Sequence, residues 1–109
     1  MLAVEVGESH SNPPTFEFDP DKSARAKADP DRLIDFVEAQ RIWEDLDRLE
    51  VPLPFTGEVR RAVIGRIGLK LWTAVVTDRG KNIRIISVRR AHKKEEQIYG
   101  DQAEHHHQP

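Results

Sequence analysis

Between Arg60 and Arg90 the chain carries three apolar, β-branched runs broken only by short turn signals, and this spacing restricts the fold more than any other feature. Residues 60–67 form the first run, with Gly65 inside it, and Gly68 marks a turn. Residues 71–77 are β-branched and aromatic on both alternating faces, the pattern of a central strand covered on one side by helices. Asp78-Arg79-Gly80-Lys81-Asn82 is a turn in which Gly80 can take positive φ, and residues 83–89 are the last strand. Consecutive strands joined by short turns predict an antiparallel meander.

The flanks supply helices. Thr15-Phe16-Glu17-Phe18 alternates and predicts a first short strand. Asp19-Pro20 follows, a capping residue with proline at the first helical position, and residues 22–28 read as a short polar helix. Asp29-Pro30 repeats that start signal. Leu33, Phe36, Val37, Ala39, Ile42, Trp43 and Leu46 then fall mainly three and four apart, predicting a helix over 30–49 with one core-facing stripe. Val51-Pro52-Leu53-Pro54 breaks the pattern and leads to Gly57. Residues 92–99 read as a terminal helix that Gly100 is placed to end. The expected architecture is α+β: a small antiparallel meander, two N-terminal helices and a short C-terminal helix. A flexible arm over 1–14, a single domain over 15–100 and a disordered tail over 101–109 complete the expectation.

The charge is segregated along the chain. Residues 1–59 hold 6 Lys or Arg against 14 Asp or Glu, residues 60–94 hold 11 against Asp78 alone, and residues 95–109 hold 4 acids and no Lys or Arg. The net charge of −2 hides this. Such asymmetry points either to an anionic partner for the basic segment or to pairing between the two halves on the surface. There are no cysteines, so disulfides and thiolate metal sites are excluded. No apolar run is long enough to span a bilayer and residues 1–14 lack the pattern of a signal peptide, so a cytosolic protein is expected, with no membrane contact.

The basic residues gather where a strand becomes a helix: Ile83-Arg84-Ile85-Ile86-Ser87-Val88-Arg89-Arg90-Ala91-His92-Lys93-Lys94-Glu95-Glu96-Gln97-Ile98-Tyr99. A strand tip is a rigid mount, and guanidinium groups held rigidly suit phosphate. Strict alternation places Arg84, Ile86, Val88 and Arg90 on one face and Ile83, Ile85, Ser87 and Arg89 on the other. Arg84 sits among apolar neighbours, so it needs a carboxylate partner, a solvent-filled groove or a bound anion. Arg60 begins an adjacent run and Arg66 closes it, but register decides whether either approaches the last strand. His92 is either a proton-transfer group or simply the occupant of a cap position. His105-His106-His107 resembles a metal handle, yet one tail without a scaffold rarely aims three adjacent side chains at one ion, and no metal is assigned. Trp43 and Trp72 read as packing.

Phe16-Glu17-Phe18-Asp19-Pro20-Asp21-Lys22, Arg60-Arg61-Ala62-Val63-Ile64-Gly65-Arg66, Thr77-Asp78-Arg79-Gly80 and the 83–99 segment resemble, in that order, the BrnT-type toxins. These are small ribonucleases of the RelE-like superfamily from bacterial type II toxin–antitoxin pairs. The strand end followed by Lys93-Lys94-Glu95 and Tyr99 is the most specific piece, and the resemblance covers roughly 16–99. It implies a RelE-like α+β fold, RNA as substrate, and a cognate BrnA-like antitoxin that also binds DNA; DNA is then touched only through the antitoxin, and no cofactor is implied. There are departures. Family members usually carry an Asn and a Lys-His-Gly in and just after the first helix, where this chain has Ala26-Lys27-Ala28-Asp29-Pro30-Asp31, and His92 stands where a Ser or Thr usually opens the last helix.

With RNA as the implied substrate, cleavage without a metal needs the 2′-hydroxyl to attack the adjacent phosphorus, helped by a base, an acid and cations that stabilise the added charge. Arg84 and Arg89, with Arg60 next, are the candidates for charge stabilisation. Arg90, Lys93 and Lys94 are candidates for holding the RNA backbone. Tyr99 either stacks on a base, donates a proton, or anchors the last helix on the core. Glu95 is either a general base or, as its first-turn position favours, a support for the helix start. The absent Lys-His pair motivates a second expectation: a catalytically degenerate toxin-like module that binds antitoxin or RNA without cleavage. A third is a plain interaction domain whose charges pair internally.

Overall fold

The structure, a computed structural model, describes residues 14–54 and 57–107. The elements follow as β1 (Thr15–Phe18), α1 (Pro20–Ala28), α2 (Phe36–Ala39) running into a 3₁₀ segment (Gln40–Glu44), β2 (Leu49–Leu53), β3 (Arg60–Ile67), β4 (Lys70–Arg79), β5 (Asn82–Arg90) and α3 (Lys93–His107). The five strands form one sheet in the order β1-β5-β4-β3-β2. Strands β3 to β5 are the expected antiparallel meander, and β2 extends it by one antiparallel strand that was not expected. β1 adds itself parallel to the first half of β5, so the sheet is mixed. The expected arm over 1–14 lies outside the described residues except for Pro14.

α1 starts as its sequence dictates, with Asp19 accepting from the Asp21 N–H and Pro20 at the first position. The helix predicted over 30–49 does not form as one piece. Asp29 accepts from the Asp31 N–H, and Asp35 and Glu38 exchange side-chain and backbone bonds in a capping box, so helical φ/ψ begins only at Phe36. Between them Leu33 takes φ 58°, a left-handed conformation that costs a side-chain-bearing residue about 1–2 kcal/mol. Asp45 ends the 3₁₀ segment by accepting from Asp47 N–H and, across the chain, from Arg66 N–H. The apolar periodicity is genuine, but three aspartates divide its backbone.

β2 is the second departure. Pro52 lies within it, and a proline is tolerated because β2 is the outermost strand, where an absent N–H breaks no central ladder. α3 is the third: it continues through Gly100 to His107, into the stretch expected to be a disordered tail.

The inner face of the sheet carries the main core: Val63, Trp72, Ala74, Val76, Ile85 and Val88 meet Ala26, Ile34, Phe36, Ala39 and Ile42 of the helical layer. Phe16 packs edge-on against Trp43 with centroids 4.8 Å apart, and Phe18 does so against Phe36 at 5.8 Å. Gly65 permits the closest approach, since a Cβ there would lie 2.8 Å from Ile42 Cγ2. Ser23, buried, accepts from the Phe36 N–H at 2.9 Å and so ties α1 to the start of α2. A smaller cluster on the outer face joins Ile64, Leu71 and Tyr99. Among the described residues no helix is long and apolar enough to cross a membrane.

Candidate nucleic-acid interface

One irregularity in β5 organises the basic residues. Val75 pairs with Ser87 and Val76 with Ile85, leaving Ile86 without a partner in β4: a β-bulge. The extra residue shifts the alternation. Ile83, Ile85 and Val88 pack on the inner core, and Arg90 stacks on Trp72 at 5.4 Å from that same side. Arg84, Ser87 and Arg89 therefore share the outer face, where strict alternation would have set Arg84 and Arg89 on opposite faces.

The outer face can be read row by row across the strands. Glu17, Arg84 and Thr77 are direct partners, and one step beyond the Arg61–Val76 pair sets Arg60 beside Thr77. Two strand spacings separate Arg84 from Arg60, about 10 Å. Ser87, Val75, Ala62 and Val51 form a middle row without charge. Arg89, Thr73, Ile64 and Leu49 form the far row, four β4 residues or about 13 Å from the first. The three expected phosphate-binding arginines thus occupy one face, in two groups either side of a neutral floor.

Each group carries its own carboxylate. Arg84 Nη1 lies 3.2 Å from Glu17 Oε2, and Asn82 Nδ2 donates to Glu17 Oε1 at 3.1 Å. The Asn82 and Arg84 bonds hold the Glu17 carboxyl below the usual carboxylate range. Arg60 Nη2 is 3.8 Å from Glu58, which also accepts from Arg79 at 3.1 Å. Arg89 grips Glu95 with two bonds of 2.8 and 2.9 Å. Burial would push Glu95 up, but the Arg89 fork, the His92 N–H at 2.7 Å and the Thr73 hydroxyl at 3.0 Å outweigh it and bring it down to about 2. Glu95 therefore does support the helix start, and it also orients Arg89. The acidic half of the chain pairs with the basic half at several of these points, so part of the charge segregation is internal compensation.

The remaining expected residues disperse. Arg90 faces the other side of the sheet. Lys93 and Lys94 are exposed on the first turn of α3, and His92 is exposed just before it. Tyr99 is 4% exposed and donates to Asp45 Oδ2 at 2.7 Å, with the Arg66 guanidinium 5.5 Å from its ring centroid. Burial and the bond to Asp45 push its hydroxyl up to about 12. Of its three sequence readings, this geometry matches the anchor of α3. The side chains of His105, His106 and His107 lie outside the described residues.

A second basic feature was not singled out in the sequence. β1 pairs only with Asn82 to Ile85, so among the described residues β5 has no strand on that side from Ile86 onward. There a cleft of about 430 Å³ opens, lined by Lys22, Arg25, Asp29, Arg32, Phe36, Ile86 and Ser87. The available signal was the three-residue spacing of Lys22 and Arg25 on α1, which sets them on one face of that helix.

No curated protein and no solved structure matches the chain. The family described as "Ribonuclease toxin, BrnT, of type II toxin-antitoxin system" matches residues 18–95, from the end of β1 to the glutamate that grips Arg89. The chain therefore belongs to the BrnT family of type II toxin–antitoxin ribonuclease toxins.

Proposed function

We propose that this protein is the toxin of a type II toxin–antitoxin pair and cleaves RNA on the outer face of the sheet, without a metal, by attack of a 2′-hydroxyl on the neighbouring phosphorus. The observation that carries this reading is the bulge at Ile86, which sets Arg84 and Arg89 on one face with Arg60 in the row of Arg84. The arginines offer forked donors to the non-bridging oxygens as charge grows there. Glu17 and Glu95 hold the guanidinium planes in place before RNA arrives. Lys93 and Lys94 add exposed positive charge that draws in the RNA backbone. A bound antitoxin, BrnA-like and itself DNA-binding, silences the toxin, and the setting is the cytosol.

One observation favours a second reading, a toxin-like module that binds RNA or antitoxin without cutting. Glu95 and Tyr99 titrate at about 2 and about 12, so neither transfers protons readily near neutral pH. Expression in cells of the wild type and of an Arg84→Ala, Arg89→Ala double variant separates the two. Cleavage predicts growth arrest and fragmented RNA in the wild type, both relieved in the variant, with purified wild type cutting RNA in the presence of a chelator. Intact RNA and normal growth with both proteins would sink the nuclease reading, and RNA retention by such a protein would establish the second.

A further inference from the structure

The cleft at the unpaired edge of β5 differs from the outer face in how its charge is balanced. Arg84 and Arg89 already hold carboxylates. In the cleft, Arg32 holds Asp29 at 3.2 Å, whereas Lys22 and Arg25 form no ion pair among the described residues. Their neighbour Lys27 does, with Glu38 at 2.9 Å, so the helix supplies a partner on one side and withholds it on the other. Three cations and one acid thus surround a recess whose remaining wall is Phe36, Ile86 and Ser87. Its volume lies within the range that holds a small-molecule-sized group. Among the described residues no strand pairs with β5 on that side from Ile86 onward.

Ser87 joins this cleft to the outer face. It lines the recess, and it also heads the neutral middle row between the Arg84 and Arg89 rows. A polyanion lying on the outer face therefore meets the cleft by crossing one residue.

We propose that the cleft holds a phosphate of the RNA chain adjacent to the segment bound on the outer face, with Lys22, Arg25 and Arg32 as its cations and the strand crossing the β5 edge at Ser87. The inference rests on the outer face being the RNA-bound face. RNA suits the recess better than an acidic polypeptide, because the half-buried Ile86 beside the cations offers apolar surface to a nucleoside and gives nothing to a lone carboxylate side chain.

The test is fluorescence anisotropy with a short 2′-O-methyl oligoribonucleotide, which cannot undergo 2′-hydroxyl attack, and with hexaglutamate as a second probe. The proteins are the wild type, Lys22→Ala with Arg25→Ala, and Lys70→Ala with Lys81→Ala as an equal charge loss elsewhere. All four altered side chains are exposed, and thermal melting confirms that the variants fold. The expected result is that the cleft variant binds RNA about tenfold more weakly than the control and that its log–log salt slope falls by about 0.7, the one phosphate that the cleft holds. The amide signals of Ile86 and Ser87 in the wild type should also shift with the same Kd. Equal RNA binding by the cleft variant and the control overturns the subsite and leaves the nuclease reading standing. No RNA binding by the wild type overturns both. Loss of hexaglutamate binding alone in the cleft variant overturns the subsite in favour of an acidic polypeptide.

Discussion

The two faces of this sheet use the same strands for opposite purposes. The inner face meets α1, α2 and the 3₁₀ segment through apolar side chains, with Phe36, Ile42, Val63, Val76, Ile85 and Val88 nearly inaccessible to water. Among the described residues the outer face is covered chiefly at one end, where Tyr99 of α3 packs with Ile64 and Leu71. Elsewhere it shows half-exposed arginines, each placed against a carboxylate. The difference is one of tolerance. Close-packed apolar surface loses stability with every atom removed, whereas exposed ion pairs contribute about 0.2–1 kcal/mol each and can be exchanged for a ligand at little cost to the fold. Stability is thereby concentrated on one side, and the other is left available for binding.

The largest expected effect is on the inner face. Phe36→Ala should cost about 3–5 kcal/mol in denaturant unfolding, while Arg84→Met on the outer face should cost under about 1 kcal/mol. A comparable loss from both would break the contrast. Next comes the covered end of the outer face. Tyr99→Phe removes a buried hydroxyl that donates to an ionised carboxylate, and should cost about 1.5–3 kcal/mol. A negligible change would mean that α3 is held by its apolar contacts alone.

The third effect is a pH dependence. Glu95 lies at about 2 in the folded protein against its usual 4.5. Its folded value is depressed, so the stability it contributes is complete above about 4.5 and is lost as pH falls toward 2. Unfolding free energy measured across that window should decline less steeply in Glu95→Gln than in the wild type. Identical slopes would show that the Arg89–Glu95 fork carries no folding energy, which would sharpen the view of the outer face as a surface held ready for exchange.

Much of the fold was legible because turn chemistry is local. Gly68 and the 78–82 segment bound β4 and β5 closely, and Asp19-Pro20 opens α1 where those residues predict. The helix over 30–49 was misread because apolar periodicity reports which face is buried, while Asp29, Asp35 and Asp45 decide how the backbone turns. β2 was hidden by Pro52, since a proline argues against a strand until the strand is known to be outermost. Arg84 and Arg89 stood out as cations on a strand. Their partners did not: Glu17 is 67 residues from Arg84, and no pattern along the chain joins them. The common face of the two arginines was equally hidden, because a bulge follows from how two strands pair.

The unpaired Ile86 also sets which kinds of change the chain can tolerate. Exchanging Ile86 for another residue leaves the strand in phase. Deleting it would make Ile85 and Ser87 chain neighbours opposite Val76 and Val75, so the bulge would close into regular pairing and each side chain from Ser87 onward would keep its side. Val88 would stay against the inner core and Arg89 on the outer face. At this position the strand tolerates a loss of length that a regularly paired residue would not. Within the family, a single-residue gap here is therefore compatible with an outer face that keeps both arginines on one side.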